Sequence, residues 1–539
     1  MVPNRAWKSN CIIHKLPPEL LCSIFLILHA DENRADDDDL ESWDMDEGNN
    51  TWFQVAGVCS AWRHVVNTLP ALFQDVHIKR RREWAELCFD RSKGSSGSLP
   101  VTVTVHVASI LPSVLDLLSV NGPRIRRLCL HDCTEETIRL LQSLLGPYMT
   151  ALTDLLVSAG NSNAGSGTEL AASFVPSLRS LYLFNATVAD WNAPVFSRLR
   201  RLHLGDFGYS ASGDTIITFD AFLRGLQACQ TLEELALNLY EWPFDPYNGA
   251  GDGRNMSSEV FVHLPSIRMA HFLCPCSGEP DSPEIFHLLS HFRFPVTADV
   301  MVYSQVYDYD HRGRGGLLHT IPQDASALPI LTNASSGMIC AHSCQVSLDG
   351  HSGEGRLAVD LEDMHQPVGE NWGYSPSHLL RDFCTLFARS PLQKLTVRIE
   401  HKRDEWRQLF RTFPGLRSLS LDGEYVSKKA LPQRLRAVMC ALSPASGGKD
   451  EVLVPVLRSL TLENLELDRD MFRGLYSCLV VRSEHRSKLS ALHLRLYAHS
   501  PPHPTNDEMI DELGLDDEAL VDEQVTLEEL RREGPWNVV

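Results

Sequence analysis

Leu416-Arg417-Ser418-Leu419-Ser420-Leu421 is the stretch whose reading decides the fold class. Successive side chains of an extended segment point to opposite faces, so Leu419 and Leu421 share one face while Ser418 and Ser420 share the other. The same Leu-x-x-Leu-x-Leu pattern, with Ile, Val or Met at some places, starts again at Ile125, Leu152, Leu178, Leu199, Leu232, Leu264, Leu392, Leu457 and Leu489. Runs with helical spacing of apolar residues lie between these starts, at 134–145, 219–228, 283–291 and 377–388, and Val101-Thr102-Val103-Thr104-Val105 adds a further strand. A strand–helix unit with one apolar face cannot bury that face alone, so neighbours must stack. The fold class expected is α/β, with parallel strands on the inside and helices on the outside.

Composition sets outer limits. The chain has 539 residues, 43% hydrophobic and 22% charged, which suffices for a large core and more than one domain. Its net charge of −20 opposes phosphate backbones and anionic lipid, so neither nucleic acid nor membrane is expected as a partner. The one dense basic run, Lys79-Arg80-Arg81-Arg82, reads as a solvated helix start. The 14 cysteines are too sparse for a disulfide scaffold and several sit in apolar runs, which fits reduced thiols and a cytoplasmic or nuclear location. The apolar run 20–28 is too short to span a membrane and lacks a signal-peptidase motif.

Around that run a second pattern appears. Leu16-Pro17-Pro18-Glu19-Leu20-Leu21 leads to Ile24-Phe25, then Val55 and Val58-Cys59 lead to Trp62-Arg63, and Pro70 to Leu72-Phe73 and Val76. An acid-rich stretch, 31–50, separates the first two parts. Order and register resemble an F-box, with Phe73 where that family often has Trp and an unusually long insertion after the first helix. The resemblance implies a three-helix unit over residues 1–79, with 31–50 as a disordered loop. It also implies that Leu16, Pro17, Pro18, Leu20, Ile24, Val58, Cys59, Trp62 and Arg63 lie at or beneath a surface that meets a Skp-family adaptor.

The recurring Leu phrase resembles the strand of a leucine-rich repeat. Its spacing runs from about 21 residues (Leu178 to Leu199) to about 41 (Leu416 to Leu457), uneven for that family. The asparagine that usually follows such a strand is found only at Asn185 and Asn464. An irregular solenoid is therefore expected over 80–500, with a loop-rich insertion at 303–355 that could hide one or two degenerate repeats, at 296–302 and 345–348. A disordered acidic tail is expected over 501–539, in which 526–532 could form a helix.

No phosphate loop, nucleophile elbow or dinucleotide motif occurs in a usable setting. Cys274-Pro275-Cys276 followed by His287 and His291 could hold zinc, but its spacing is short for such a site and no metal is expected. No catalytic residue and no cofactor are expected. What remains is recognition. The x positions of the strands suggest Tyr182, His203, Asn238, Arg268, Arg398, His493 and Arg495 as a partly basic lining for a protein target. The family resemblance implies a substrate-recognition subunit of an SCF-type cullin-RING E3 ubiquitin ligase, a monomer within a complex of Skp-family adaptor, cullin and protein substrate. The alternative is an F-box scaffold working outside a ligase.

Overall fold

The structure is a computed structural model that describes residues 16–38, 54–78, 82–94, 99–106, 111–159, 168–170, 175–188, 190–205, 218–239, 260–275, 284–306, 316–340, 345–350, 355–363, 376–398, 401–424, 430–443, 452–497 and 521–530. The fold is mixed α/β with parallel sheets, and the described residues include 13 α-helices. The chain divides into two compact units, one built from residues 1–199 with 207–216 and the other from 200–206 with 217–539.

The first unit opens with α1 (Pro18–Asp38) and α2 (Ser60–Thr68), with short 3-10 turns before and after α2 at Val55–Gly57 and Pro70–Phe73. Where three α-helices were expected, the described residues form two and these turns. The helical backbone of α1 also runs through Asp38 into the stretch expected to be a loop, and 39–50 lies outside the described residues. Strands β1 (Asp75–Ile78), β2 (Val101–Val105), β3 (Ile125–Cys133), β4 (Asp154–Ala159), β5 (Thr168–Leu170), β6 (Ser180–Phe184) and β7 (Ala186–Val188) follow. Strands β1, β2, β3, β4 and β6 pair in parallel in that order, and β5 pairs with β7. Helices α3 (Arg82–Arg91), α4 (Leu111–Asn121) and α5 (Glu135–Tyr148) connect the strands.

The second unit holds β8 (Arg201–Gly205), β9 (Glu234–Asn238), β10 (Val262–His263), β11 (Met269–Pro275), β12 (Phe292–Arg293), β13 (Asp299–Val306), β14 (Ala334–Cys340), β15 (Gln345–Gly350) and β16 (Arg356–Asp363). It continues with β17 (Lys394–Arg398), β18 (Ser418–Asp422), β19 (Ser459–Leu465), β20 (Leu489–Tyr497) and β21 (Val521–Leu530). Its helices are α6 (Phe219–Ala228), α7 (Glu284–Ser290), α8 (Leu317–Thr320), α9 (Ile330–Asn333), α10 (Pro376–Leu386), α11 (Arg403–Thr412), α12 (Leu431–Leu442) and α13 (Arg469–Glu484).

The Leu phrase works as its spacing predicts. Leu419 and Leu421 are fully buried on β18, and β17, β18 and β19 stack in parallel so that Leu395, Leu419 and Leu460 form one buried row and Val397, Leu421 and Leu462 the next. The helices supply the other wall of this core. In α6, Thr218 caps the start by accepting from the Ala221 amide, while Phe222, Leu223 and Leu226 are buried. Of the two asparagines noted in the sequence, Asn185 follows β6 and Asn464 sits at an irregularity near the end of β19, with φ near +51° and +56°, a left-handed conformation that Asn tolerates better than most residues. From there Asn185 Nδ2 donates to Ala159 O on β4 (3.3 Å) and Asn464 Nδ2 to an Asp422 carboxylate oxygen on β18 (2.9 Å), each bonding the neighbouring strand.

Two stretches differ from expectation, and a third, 303–355, carries strands within the loop-rich insertion: the end of β13, then β14 and β15, the last where the sequence offers a degenerate repeat at 345–348. Here β13 pairs in parallel with β16 rather than with β14; β15 runs antiparallel to both β16 and β14, and β14 then pairs in parallel with β17. The tail segment Val521–Leu530 is a strand parallel to β20, neither helix nor disorder; Val525 and Leu527 match Leu492 and Leu494 in register and so continue the Leu pattern. At Ile267–Met269 the register is shifted: Ala270 and Phe272 pair with Leu235 and Leu237 and point inward, and Met269 is exposed.

Candidate interaction surfaces

Helix α1 carries two apolar stripes. Leu21, Phe25 and His29 are spaced by one helical turn and buried, with Phe25 meeting Trp62 edge to face at 5.2 Å. Leu20, Ile24, Ile27 and Leu28 form the second stripe, which faces solvent with exposures of 51%, 40%, 59% and 42%. Val58, at the turn into α2, is exposed at 56%, and Pro17 and Pro18 are exposed at the start of α1. An exposed row of large aliphatic residues on a helix that already has a buried face marks an interaction surface.

The structure divides the residues expected at that surface. Leu20, Ile24, Val58, Pro17 and Pro18 lie outside, and Leu16 is half-buried. Trp62 is core, at 8% exposure, so it stands beneath the surface. Cys59 is the N-cap of α2, its Sγ accepting from the Trp62 amide at 3.4 Å. Arg63 is exposed but tethered, with Nε donating to Ala56 O at 3.1 Å. Leu28 and Ile27 were missed, although the i, i+4, i+7, i+8 series from Leu20 was visible in the sequence.

The second surface is the strand face turned away from the helices in the second unit. His203, on β8, is buried, and its Nε2 lies 2.7 Å from Glu234 Oε1 on β9; Arg201 Nε lies 3.5 Å from Oε2 of the same carboxylate. The His203 hydrogen bond, assisted by Arg201, holds the Glu234 carboxyl below its ordinary range against the opposing effect of burial. His271 occupies the matching place on β11, and its Nε2 is buried without a hydrogen-bond partner. Burial pushes its pKa down, with Glu234 opposing. Arg398 lies 3.6 Å from both Asp422 and Glu424, and Arg495 3.3 Å from Glu463. Of the basic lining read from the sequence, His203, Arg398 and Arg495 thus each face a carboxylate on an adjacent strand. His493 continues a row of hydroxyl residues, Thr396, Ser420 and Thr461, on successive strands. Asn238 lies on β9, its Oδ1 buried without a hydrogen-bond partner. Arg268 does not belong to this row: it precedes β11 in the shifted register, and His271 takes the place assigned to it. Tyr182 lies in the first unit, on β6, half-buried.

Among the described residues, no group of three or more His, Cys, Asp or Glu side chains is arranged to hold a metal ion. Cys274 is buried in the core side of β11, and Cys276 lies outside the described residues. His287 and His291 pack against each other and Phe219, and His291 Nδ1 is 2.9 Å from Val260 O. Burial pushes the thiols of Cys88, Cys133, Cys229 and Cys384 up to about 12, far from a reactive thiolate at neutral pH. No helix of the described residues is long and apolar enough to cross a membrane.

In comparison with known proteins, no family model matches this chain, and no curated protein matches it significantly.

Proposed function

We propose that the protein is the substrate-recognition subunit of an SCF-type cullin-RING ubiquitin ligase, with α1 and α2 as an F-box that docks a Skp-family adaptor and the strand array as the part that holds a protein target. The observation that carries this reading is the second apolar stripe of α1. Leu20, Ile24, Ile27 and Leu28 stay exposed among the described residues, and they follow the Leu16-Pro17 opening that resembles an F-box. The reading assigns catalysis to other subunits; this chain contributes proximity, raising the effective concentration of target lysines at a charged conjugating enzyme. The open strand face suits a target with its own paired charges and hydroxyl groups, not one that is simply acidic, because Arg398 and Arg495 already have carboxylate neighbours.

The test is co-purification of the full chain with a Skp-family adaptor and cullin, compared with the double variant Ile24→Asp, Ile27→Asp. Both side chains are exposed, so the fold should survive while adaptor capture is lost. Undiminished capture by the double variant would remove α1 from the docking face. Capture of adaptor without cullin would instead favour a scaffold outside the ligase.

A further inference from the structure

The helical side of the second unit has a cleft that the proposed function does not use. It runs between α12 and α13 for the length of both helices and encloses about 350 Å³. Leu435 and Met439 on α12 face Met471 and Val481 on α13, and Arg403, the first residue of α11, reaches one end. That volume falls within the range of small-molecule sites.

Two observations point to an occupant. The first is Gly474. It lies in the interior of α13, where glycine is unfavourable for a helix, and a side chain added there would meet nothing within 4 Å. No close approach among the described residues requires it, and it lines the cleft. The second is charge. Arg403 and Arg436 line the cleft near the start of α11 and in the second turn of α12, and neither has an ion-pair partner among the described residues. The one acid at the rim, Asp470, is engaged by Arg473 at 3.3 Å. The other end, around Cys440, Ser443, Cys478 and Val481, carries no charge.

We infer that this cleft binds a small amphiphile with an anionic head and an aliphatic chain, the head placed between Arg403 and Arg436 and the chain lying over Gly474 against Leu435, Met439 and Met471. A guanidinium pair recognises a carboxylate head, and the narrow apolar trough recognises a single chain.

The probe is sodium dodecanoate below its micellar concentration, titrated calorimetrically into the full-length protein, with neutral dodecanol as control. The expected result is one saturable site. Arg403→Ala with Arg436→Ala should weaken it about tenfold, and dodecanol should bind correspondingly worse. Gly474→Leu should abolish binding; leucine favours the helix, so that variant should fold at least as well. Cys440 is a half-buried thiol in the cleft and provides a second readout: dodecanoate should slow its alkylation by N-ethylmaleimide, followed by peptide mass spectrometry. Absence of saturable binding up to millimolar dodecanoate would overturn the inference, as would binding that survives Gly474→Leu or that does not distinguish acid from alcohol.

Discussion

Phe25 of α1 and Trp62 of α2 meet edge to face, ring centroids 5.2 Å apart and planes at 63°. This contact ties the two helices together, and Trp62 serves the core although it stands in a motif associated with binding. Trp62→Ala should therefore destabilise the first unit by about 3–5 kcal/mol, whereas Ile24→Ala, at an exposed site, should change stability by less than about 0.5 kcal/mol. Urea unfolding of both variants measures the contrast; equal midpoints would place Trp62 at the surface.

Arg482 is buried at 1% exposure, and burial lowers its pKa, with Cys478 opposing. Its guanidinium donates to Leu442 O, at the end of α12, and to Val454 O, at 3.3 and 3.1 Å. It thereby satisfies one carbonyl at the C-terminus of α12 and one in the segment that leads into β19. Arg482→Ala removes those bonds and leaves a void, and should cost about 3 kcal/mol. Arg482→Met fills the space without a buried charge and should cost visibly less. A larger loss for methionine than for alanine in denaturant titration would contradict this account.

Stability should fall on mild acidification. Burial lowers the pKa of His29, His131, His271 and His291, opposed at His29 by Asp75, at 3.4 Å. Below the ordinary value of 6.5 the unfolded chain binds protons that the folded chain resists. The neutral-histidine contribution is thus complete above that value and declines as pH drops toward the lowered folded pKa values. Denaturant midpoints between neutral and mildly acidic pH should decrease, and His29→Gln should flatten part of the slope. A rising midpoint would reverse the sign argued here.

Gly355 leads into β16 with φ near +74°, and a Cβ there would lie 2.1 Å from Val296 O. Both the backbone conformation and the close approach exclude a side chain. Gly355→Ala should destabilise the second unit by about 3 kcal/mol, with amide exchange rising first along β13 and β16. Exchange unchanged at those strands would show that the turn can move aside.

Much of the strand array was legible because its signal is local. The alternation in Leu419-Ser420-Leu421 determines which face is buried, and nearly every recurrence of the phrase lies in a strand of the register it predicted. It failed at Ile267-Arg268-Met269, where Met269 passed for an inward leucine; pairing with β9 places Ala270 and Phe272 inward instead. The charge balance of the open face was not legible for a related reason. Arg495 and Glu463, or Arg398 and Asp422, become neighbours only through strand register, which no linear reading supplies. For Trp62 the sequence left both places open, at or beneath the surface, because its spacing suits either face of a short helix; its packing on Phe25 puts it beneath.

The reversed order of β14, β15 and β16 bears on how the chain acquires its shape. A regular repeat array can grow one strand at a time, each new repeat finding a finished neighbour. Here the edge of β13 must wait for β16, which is made only after β14 and β15. During synthesis the strands before β13 are completed against an open edge, while β17 and its successors grow on β14 from the far side. The second unit thus has two growth fronts separated by one long-range closure, and the pairing of β13 with β16 is the step whose delay would set the pace of its assembly.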